Sequence, residues 1–330
     1  MSGSFRGEEV TGETLRQLGE IEVIRRLARG LGQAVNVLVG IGDDAAVVRS
    51  EDDGHDLVLT TDAVIEGIHF AAGARSAAVG RKLAGRLLSD LAAMGAEPLW
   101  ILCNVAAPAR TSFRALKQVY AGMKRIAARF GAHIVGGDLS RADELHLHGF
   151  AVGRVPHRRA VTRSGARAGD AVFVTGTLGG SILGGHLRFT PRVKEGLWLR
   201  KSGWPSAMID VSDGLLRDLG HILRSSRCAA EIELRKIPVS SAARMLGDGV
   251  SPLDHALRDG EDFELLFTVP AGKAEQFIRS WKDTFRLRCT RIGTIRSGPV
   301  SINLKEAGGS LSRIYGLGYD HFSCRVGKRP

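Results

Sequence analysis

Five short segments place carboxylates among glycine, alanine and aliphatic residues: Gly40 to Asp44 (GIGDD), Thr60 to Asp62 (TTD), Leu87 to Ala92 (LLSDLA), Ile134 to Asp138 (IVGGD) and Met208 to Leu215 (MIDVSDGL). None contains a lysine or arginine. An unpaired carboxylate is costly to bury, so each must find a cation, take up a proton or remain at an open cleft. Asp90 is the sharpest case, because helical spacing sets it on the face of Leu83, Leu87 and Met94, where a core would take another aliphatic side chain. A single such aspartate reads equally well as a cap or a local acceptor. Five repetitions point to metal. All-oxygen donors without a cysteine or histidine cluster select hard cations, and a site that also holds phosphate suits Mg²⁺ ahead of Ca²⁺.

Phosphate chemistry has its own traces. In Asp210 to Leu215, Ser212 or Asp213 is expected to open a helix directly after a strand, so free backbone N–H groups meet a phosphate while carboxylates hold a bridging ion. Gly136 and Gly137 before Asp138, and Gly40 and Gly42 before Asp43, let backbone approach a bulky anion. There is no GxxxxGK[ST] loop, protein-kinase signature or dinucleotide fingerprint. Nucleotide binding must use another scaffold.

The elements that position these residues follow from periodicity. Helices are expected over 13–30, 77–94, 112–130, 213–224 and 272–283. Strands are expected within 35–48 on either side of a glycine turn, and over 57–61, 132–136, 145–155, 171–175, 231–234, 263–269, 287–295 and 299–304. Alternation of the two predicts an α/β (α+β) chain, and 330 residues exceed one ordinary core. A boundary near Pro156 divides it into domains 1–155 and 156–330.

Composition narrows the class. A net charge of +11 attracts anions without choosing among nucleic acid, membrane and phosphorylated small molecules. The basic pairs, Arg81 and Lys82 among them, read as solvated helix faces, and no nucleic-acid signature accompanies them. No apolar run is long enough to span a bilayer and no leader is evident, so a cytoplasmic protein is expected, with neither membrane nor nucleic acid as partner. Cys103, Cys228, Cys289 and Cys324 lack paired spacing and are expected to be free thiols.

At its aspartate segments the sequence resembles the thiamine-monophosphate kinases. These belong to a superfamily with aminoimidazole ribonucleotide synthetase, selenophosphate synthetase and a hydrogenase-maturation protein. The likeness runs from about Gly19 to Phe322 and rests on GIGDDAAVV from Gly40, TTDAVIEGIHF from Thr60, SDLAAMGA from Ser89, TRSGARAGD from Thr162, DVSDGL from Asp210, GEDFELLFT from Gly260 and GYDHF from Gly318. It implies two α/β domains, the N-terminal one pairing with a second chain into a shared β-barrel, hence a homodimer. It implies transfer of the γ-phosphate of ATP to thiamine monophosphate with several Mg²⁺ ions held by Asp44, Thr60, Thr61, Asp62, Asp90, Asp138, Asp210 and Asp213. Asp44, Asp90, Asp138 and Asp213 are its catalytic set. By the same resemblance Gly137, Asp138, Arg163 and Ser212 meet ATP, and His69, Glu261 and Tyr319 meet thiamine monophosphate. The sequence departs from the family at Leu87 (usually asparagine), Asp259 (usually glycine), Phe189 (usually proline) and in a shortened link between Gly179 and His186.

The acceptor is already an ionised phosphate oxygen, so no strong general base is needed, and positioning with charge neutralisation suffices. Another ATP-using member of the superfamily with a different acceptor is the alternative. The reactive cysteine of those lineages is absent, since Cys324 is not terminal and no cysteine lies near the N-terminus.

Overall fold

The computed structural model describes residues 13–31, 34–50, 54–306, 308 and 311–314. These fall into two compact units, one carrying the two N-terminal helices and the other beginning at Asn36. In the first unit the helix expected over 13–30 is two helices, α1 (Leu15–Leu18) and α2 (Glu20–Gly30). Gly19 separates them at φ 72°, a conformation other residues avoid. Thr14 and Gln17 form a capping box at the start of α1.

In the second unit, β1 (Val37–Val39), β2 (Ala46–Arg49), β3 (His55–Ile65), α3 (Ser76–Ala93), β4 (Glu97–Ala107), α4 (Phe113–Ala128), β5 (His133–Arg141) and β6 (His146–Pro156) come first. They build a six-stranded sheet in the order β1-β2-β3-β6-β4-β5, antiparallel except where β4 meets β5. Strand β4 has no counterpart among the sequence expectations. It follows the Gly95 stop so closely, and carries Pro98 so early, that the segment reads as a loop.

The chain continues with β7 (Ala171–Thr175), α5 (Val193–Ser202), β8 (Ala207–Asp210), α6 (Leu215–Ser226), β9 (Ala229–Glu233), α7 (Ser241–Met245) and α8 (Pro252–Arg258). It ends with β10 (Leu265–Val269), α9 (Ala274–Thr284), β11 (Cys289–Arg296), β12 (Ile302–Lys305) and β13 (Leu311–Ile314). Their sheet runs β13-β12-β9-β11-β7-β10-β8. Alternate residues of β7 enter different cores, Ala171 and Phe173 one, Val172 and Val174 the other. A strand buried on both faces reads as a continuous apolar run, which is why AVFVT carries no alternation.

Helix α3 packs on β3 and β6 of the first sheet and on β8 of the second. That double burial explains why Leu83, Leu87, Leu88, Leu91, Ala92 and Ala93 are all fully inaccessible. Its crossing with α4 is tight. A Cβ on Gly80 would lie 2.0 Å from the Val119 carbonyl oxygen, and one on Gly122 would lie 1.9 Å from that of Ala77. Leu87 packs against Gly149 of β6, so the departure from asparagine fills a dry core position.

Candidate active site

Three aspartates from distant parts of the chain converge. Asp44 lies in the turn between β1 and β2, Asp90 near the end of α3, and Asp210 is the last residue of β8. One carboxylate oxygen from each lies within 4.8 Å of the others. Thr60 Oγ1 donates to Asp90 Oδ2 at 2.6 Å, Ser89 Oγ to Asp210 Oδ2 at 2.6 Å, and Arg163 Nη2 to Asp44 Oδ1 at 2.8 Å. The other Asp44 oxygen, Oδ2, is buried without a hydrogen-bond partner.

Crowding shows in the proton affinities. Burial, reinforced by the Asp210 and Asp62 charges, pushes Asp90 far above the carboxylate range. Burial and the Asp44 charge push Asp210 up to about 7. Asp44 is raised by burial despite Arg163. A divalent cation is the partner that lets three such groups ionise together, and the orphaned Asp44 oxygen is a ready ligand. The residues present fit a hard cation.

The other expected ligands are placed differently. Strand alternation turns Thr61 away from Thr60, and its hydroxyl donates to the Gly149 carbonyl at 2.8 Å. Asp62 is held by Arg86, whose Nε and Nη2 reach its two oxygens at 2.5 and 2.6 Å. Asp213 stands 3.3 Å from Arg217 Nε, and its backbone N–H donates to the buried Asp218 at 3.0 Å. Helix α6 begins at Leu215 with Gly214 as its cap, two residues later than expected, so neither Ser212 nor Asp213 is an N-cap. Asp138 and Gly137 lie exposed on β5, the edge strand, opposite Asn104 and Cys103 of β4. A Cβ on Gly137 would fall 1.9 Å from the Cys103 carbonyl oxygen. Asp138 is not in the triad.

Arg163, from the segment after β6, is largely buried, and its backbone N–H also donates to Asp43 at 3.1 Å. Burial and the Asp44 charge push Asp43 up to about 6. Ser212 contributes its carbonyl, which accepts from the Glu261 N–H at 2.7 Å.

Glu261 adopts φ 67° and Phe263 φ 52°, both in the left-handed region. The carboxylate of Glu261 lies 2.6 Å from Lys82 Nζ and 3.3 Å from Arg86 Nη1. Lys82 also donates to the His69 carbonyl at 2.5 Å, bringing His69 and Glu261 to one ammonium. The Lys82 side chain is 0% exposed, so the surface expected of the Arg81 and Lys82 pair is corrected for Lys82. Tyr319 falls outside the described residues.

Each departure from the family pattern has a local partner here. Asp259 accepts from the Gly180 N–H at 3.0 Å and the Gly179 N–H donates to Asp262 at 2.8 Å, tying the short link to the Glu261 loop. Phe189 stacks on Phe263, with ring centroids 4.0 Å apart. The sequence reading missed Lys82, Arg86 and Asp218. For Asp218 a signal existed, since it sits among Leu215, Leu219 and Ile222 as Asp90 sits among leucines.

Residues 42–155 match the family model "AIR synthase related protein, N-terminal domain", and 186–304 its C-terminal counterpart. The thiamine-monophosphate kinase of Rhodopirellula baltica is 38% identical over 299 residues, covering 88% of this chain and 93% of that protein. The solved structure of AaThiL complexed with AMPPCP and TMP superposes with TM-score 0.80 at 32% identity, covering 94% of this chain and 99% of that one. The thiamine-monophosphate kinase of Stenotrophomonas maltophilia K279a matches with TM-score 0.70 at 34% identity over 87% of this chain and 95% of its own. With both domains matched, the chain belongs to the thiamine-monophosphate kinase family.

Proposed function

We propose that the chain transfers the γ-phosphate of ATP to thiamine monophosphate, making thiamine diphosphate, with Mg²⁺ at the aspartate centre. The observation that carries this reading is the convergence of Asp44, Asp90 and Asp210 around an orphaned carboxylate oxygen, in a chain of this family. Asp44, Asp90 and Asp210 would hold the ion, which would supply positive charge to neutralise phosphate there. The protein's own residues do the positioning. Thr60 and Ser89 fix the Asp90 and Asp210 carboxylates, and Arg163 orients Asp44. Because the acceptor oxygen is already ionised, these groups need move no proton.

Gly137, Asp138, Arg163 and Ser212 are assigned to ATP, and His69, Glu261 and Tyr319 to thiamine monophosphate. Asp138 and Asp213 join the catalytic set as ligands of nucleotide-borne ions, and Thr60 and Thr61 complete the ligand assignment taken from the family apart from Asp62, whose two oxygens Arg86 occupies. Domain 1–155 would be the ATP- and metal-binding and dimerisation domain, and 156–330 the C-terminal α/β domain. A homodimeric β-barrel is supported by apolar side chains left exposed on the first sheet, Trp100 and Leu102 on β4 and Val135 on β5. Among the described residues no helix is long and apolar enough to cross a membrane. Residence in the cytoplasm is part of the same proposal.

The test is direct. Purified protein with ATP, Mg²⁺ and thiamine monophosphate should form thiamine diphosphate, and Asp90→Asn should lower the rate on the order of 10³-fold with an unchanged circular-dichroism spectrum. Phosphate transfer to another superfamily acceptor, with none to thiamine monophosphate, would remove this reading.

A further inference from the structure

Helix α3 presents Lys82, Arg86 and Asp90 at successive four-residue steps, so the three share one face. Strand β3 presents Thr60 and Asp62 two residues apart, so these also share a face. The helix and strand pack together and make two rungs. The first rung is Asp90 to Thr60 at 2.6 Å, inside the aspartate centre. The second, one helical turn and one pleat away, is Arg86 to Asp62 at 2.5 and 2.6 Å. Both partners are mostly shielded, at 15% and 18% side-chain exposure.

We infer that the Arg86 guanidinium is the resident cation of the second rung, standing where a divalent ion would otherwise neutralise Asp62, so that Asp62 anchors Arg86 and is not a metal ligand in this chain. Both Asp62 oxygens are engaged by the guanidinium, and Oδ1 also accepts from the Ala63 N–H at 2.8 Å. A metal at Asp62 would have to displace a bidentate, charge-assisted pair, among the strongest side-chain interactions. It would also have to approach a fixed positive charge, since Arg86 Nη1 is held by Glu261 at 3.3 Å and the guanidinium lies over the Phe263 ring at 5.8 Å. Asp44 Oδ2, by contrast, lacks any such partner. The donor sets therefore differ in kind: beside the first rung Asp44 keeps one carboxylate oxygen open, and at the second rung both Asp62 oxygens are occupied. Arg86 is a positioning residue, since it acts by holding the Asp62 and Glu261 carboxylates.

This rests on the aspartate centre being a divalent-cation site, and the experiment separates the two claims. Mn²⁺ is titrated into the full-length protein without nucleotide, and free Mn²⁺ is followed by electron paramagnetic resonance. Asp62→Asn should leave the number of bound ions as in wild type. Arg86→Leu should gain about one ion per chain, and Asp62→Asn combined with Arg86→Leu should lose that gain. Arg86→Lys, which keeps the charge, should show the wild-type number, and thermal melts establish that each variant is folded. If Asp62→Asn removes an ion from otherwise wild-type protein, or folded Arg86→Leu gains none, the inference is overturned. Should Arg86→Leu not fold, the Asp62→Asn count decides alone. Asp90→Asn serves the other claim: a retained wild-type Mn²⁺ count would sink the aspartate centre as a metal site, with the Asp62→Asn and Arg86→Leu counts still judging Arg86.

Discussion

The Glu261 carboxylate meets the Lys82 ammonium at 2.6 Å although 179 residues separate them in the chain. Helix α3 supplies the cation and the loop before β10 the anion, so one ion pair ties an expected substrate residue to the helix that carries Asp90.

The two partners are not equivalent. Lys82 is wholly buried and Glu261 keeps 24% of its side chain exposed. Burial lowers the pKa of Lys82 although Glu261 opposes the change. Glu261→Gln takes the carboxylate from a buried ammonium that keeps its bond to the His69 carbonyl, and should cost about 2 kcal/mol, below the ~3–5 typical of a fully buried pair because Glu261 is partly solvated. Lys82→Met leaves Glu261 with Arg86 and should cost about 1 kcal/mol. Urea unfolding of both variants checks the order, and the reverse order would refute it.

His255 sits between Asp259 Oδ2 at 2.9 Å and Asp248 Oδ1 at 3.0 Å. Burial disfavours the imidazolium, but the two carboxylates outweigh it and the pKa is raised. A base with a raised folded pKa contributes stability that is complete below its unfolded value near 6.5 and is lost as pH rises through the folded value. The melting-temperature gap between wild type and His255→Gln should therefore be wider at pH values below 6.5 than well above the folded pKa. A gap independent of pH would show that His255 acts only by packing.

Gly122→Ala raises helix propensity by about 1 kcal/mol, yet a new Cβ would fall 1.9 Å from the Ala77 backbone oxygen. Backbone cannot rotate aside. The variant should be less stable by about 1–3 kcal/mol, measured by denaturant midpoint, and a stabilised variant would mean that α3 and α4 separate freely.

Leu87→Asn restores the family's usual residue at a position that is fully buried against Gly149. Without a polar partner the amide should cost about 2–4 kcal/mol. Calorimetry with and without Mg²⁺ is the check: stabilisation that appears only with the metal would place position 87 within reach of the ion.

Much of this site was legible because a carboxylate among leucines is anomalous wherever it occurs. Asp90 and Asp210 were found that way, and the structure gives each a hydroxyl partner and a place in one cluster. Lys82 and Arg86 were not, because a cation on a helix ordinarily faces water and their partners, Glu261 and Asp62, lie in other segments. Local pattern carries no information about such pairings. Strand β4 was hidden by its short distance from Gly95, and the two-residue delay of α6 by the absence of a side-chain cap at Gly214. Asp138 stands apart on an edge strand, which sequence cannot distinguish from the interior of a sheet.

Because both sheets grip α3, Lys82, Arg86 and Asp90 are graduations on a single rigid ruler. Any slip of that rod along its axis would carry all three charges the same distance at once. Spacing between the Lys82 ammonium that holds Glu261 and the aspartate centre is thereby a property of one helix's pitch.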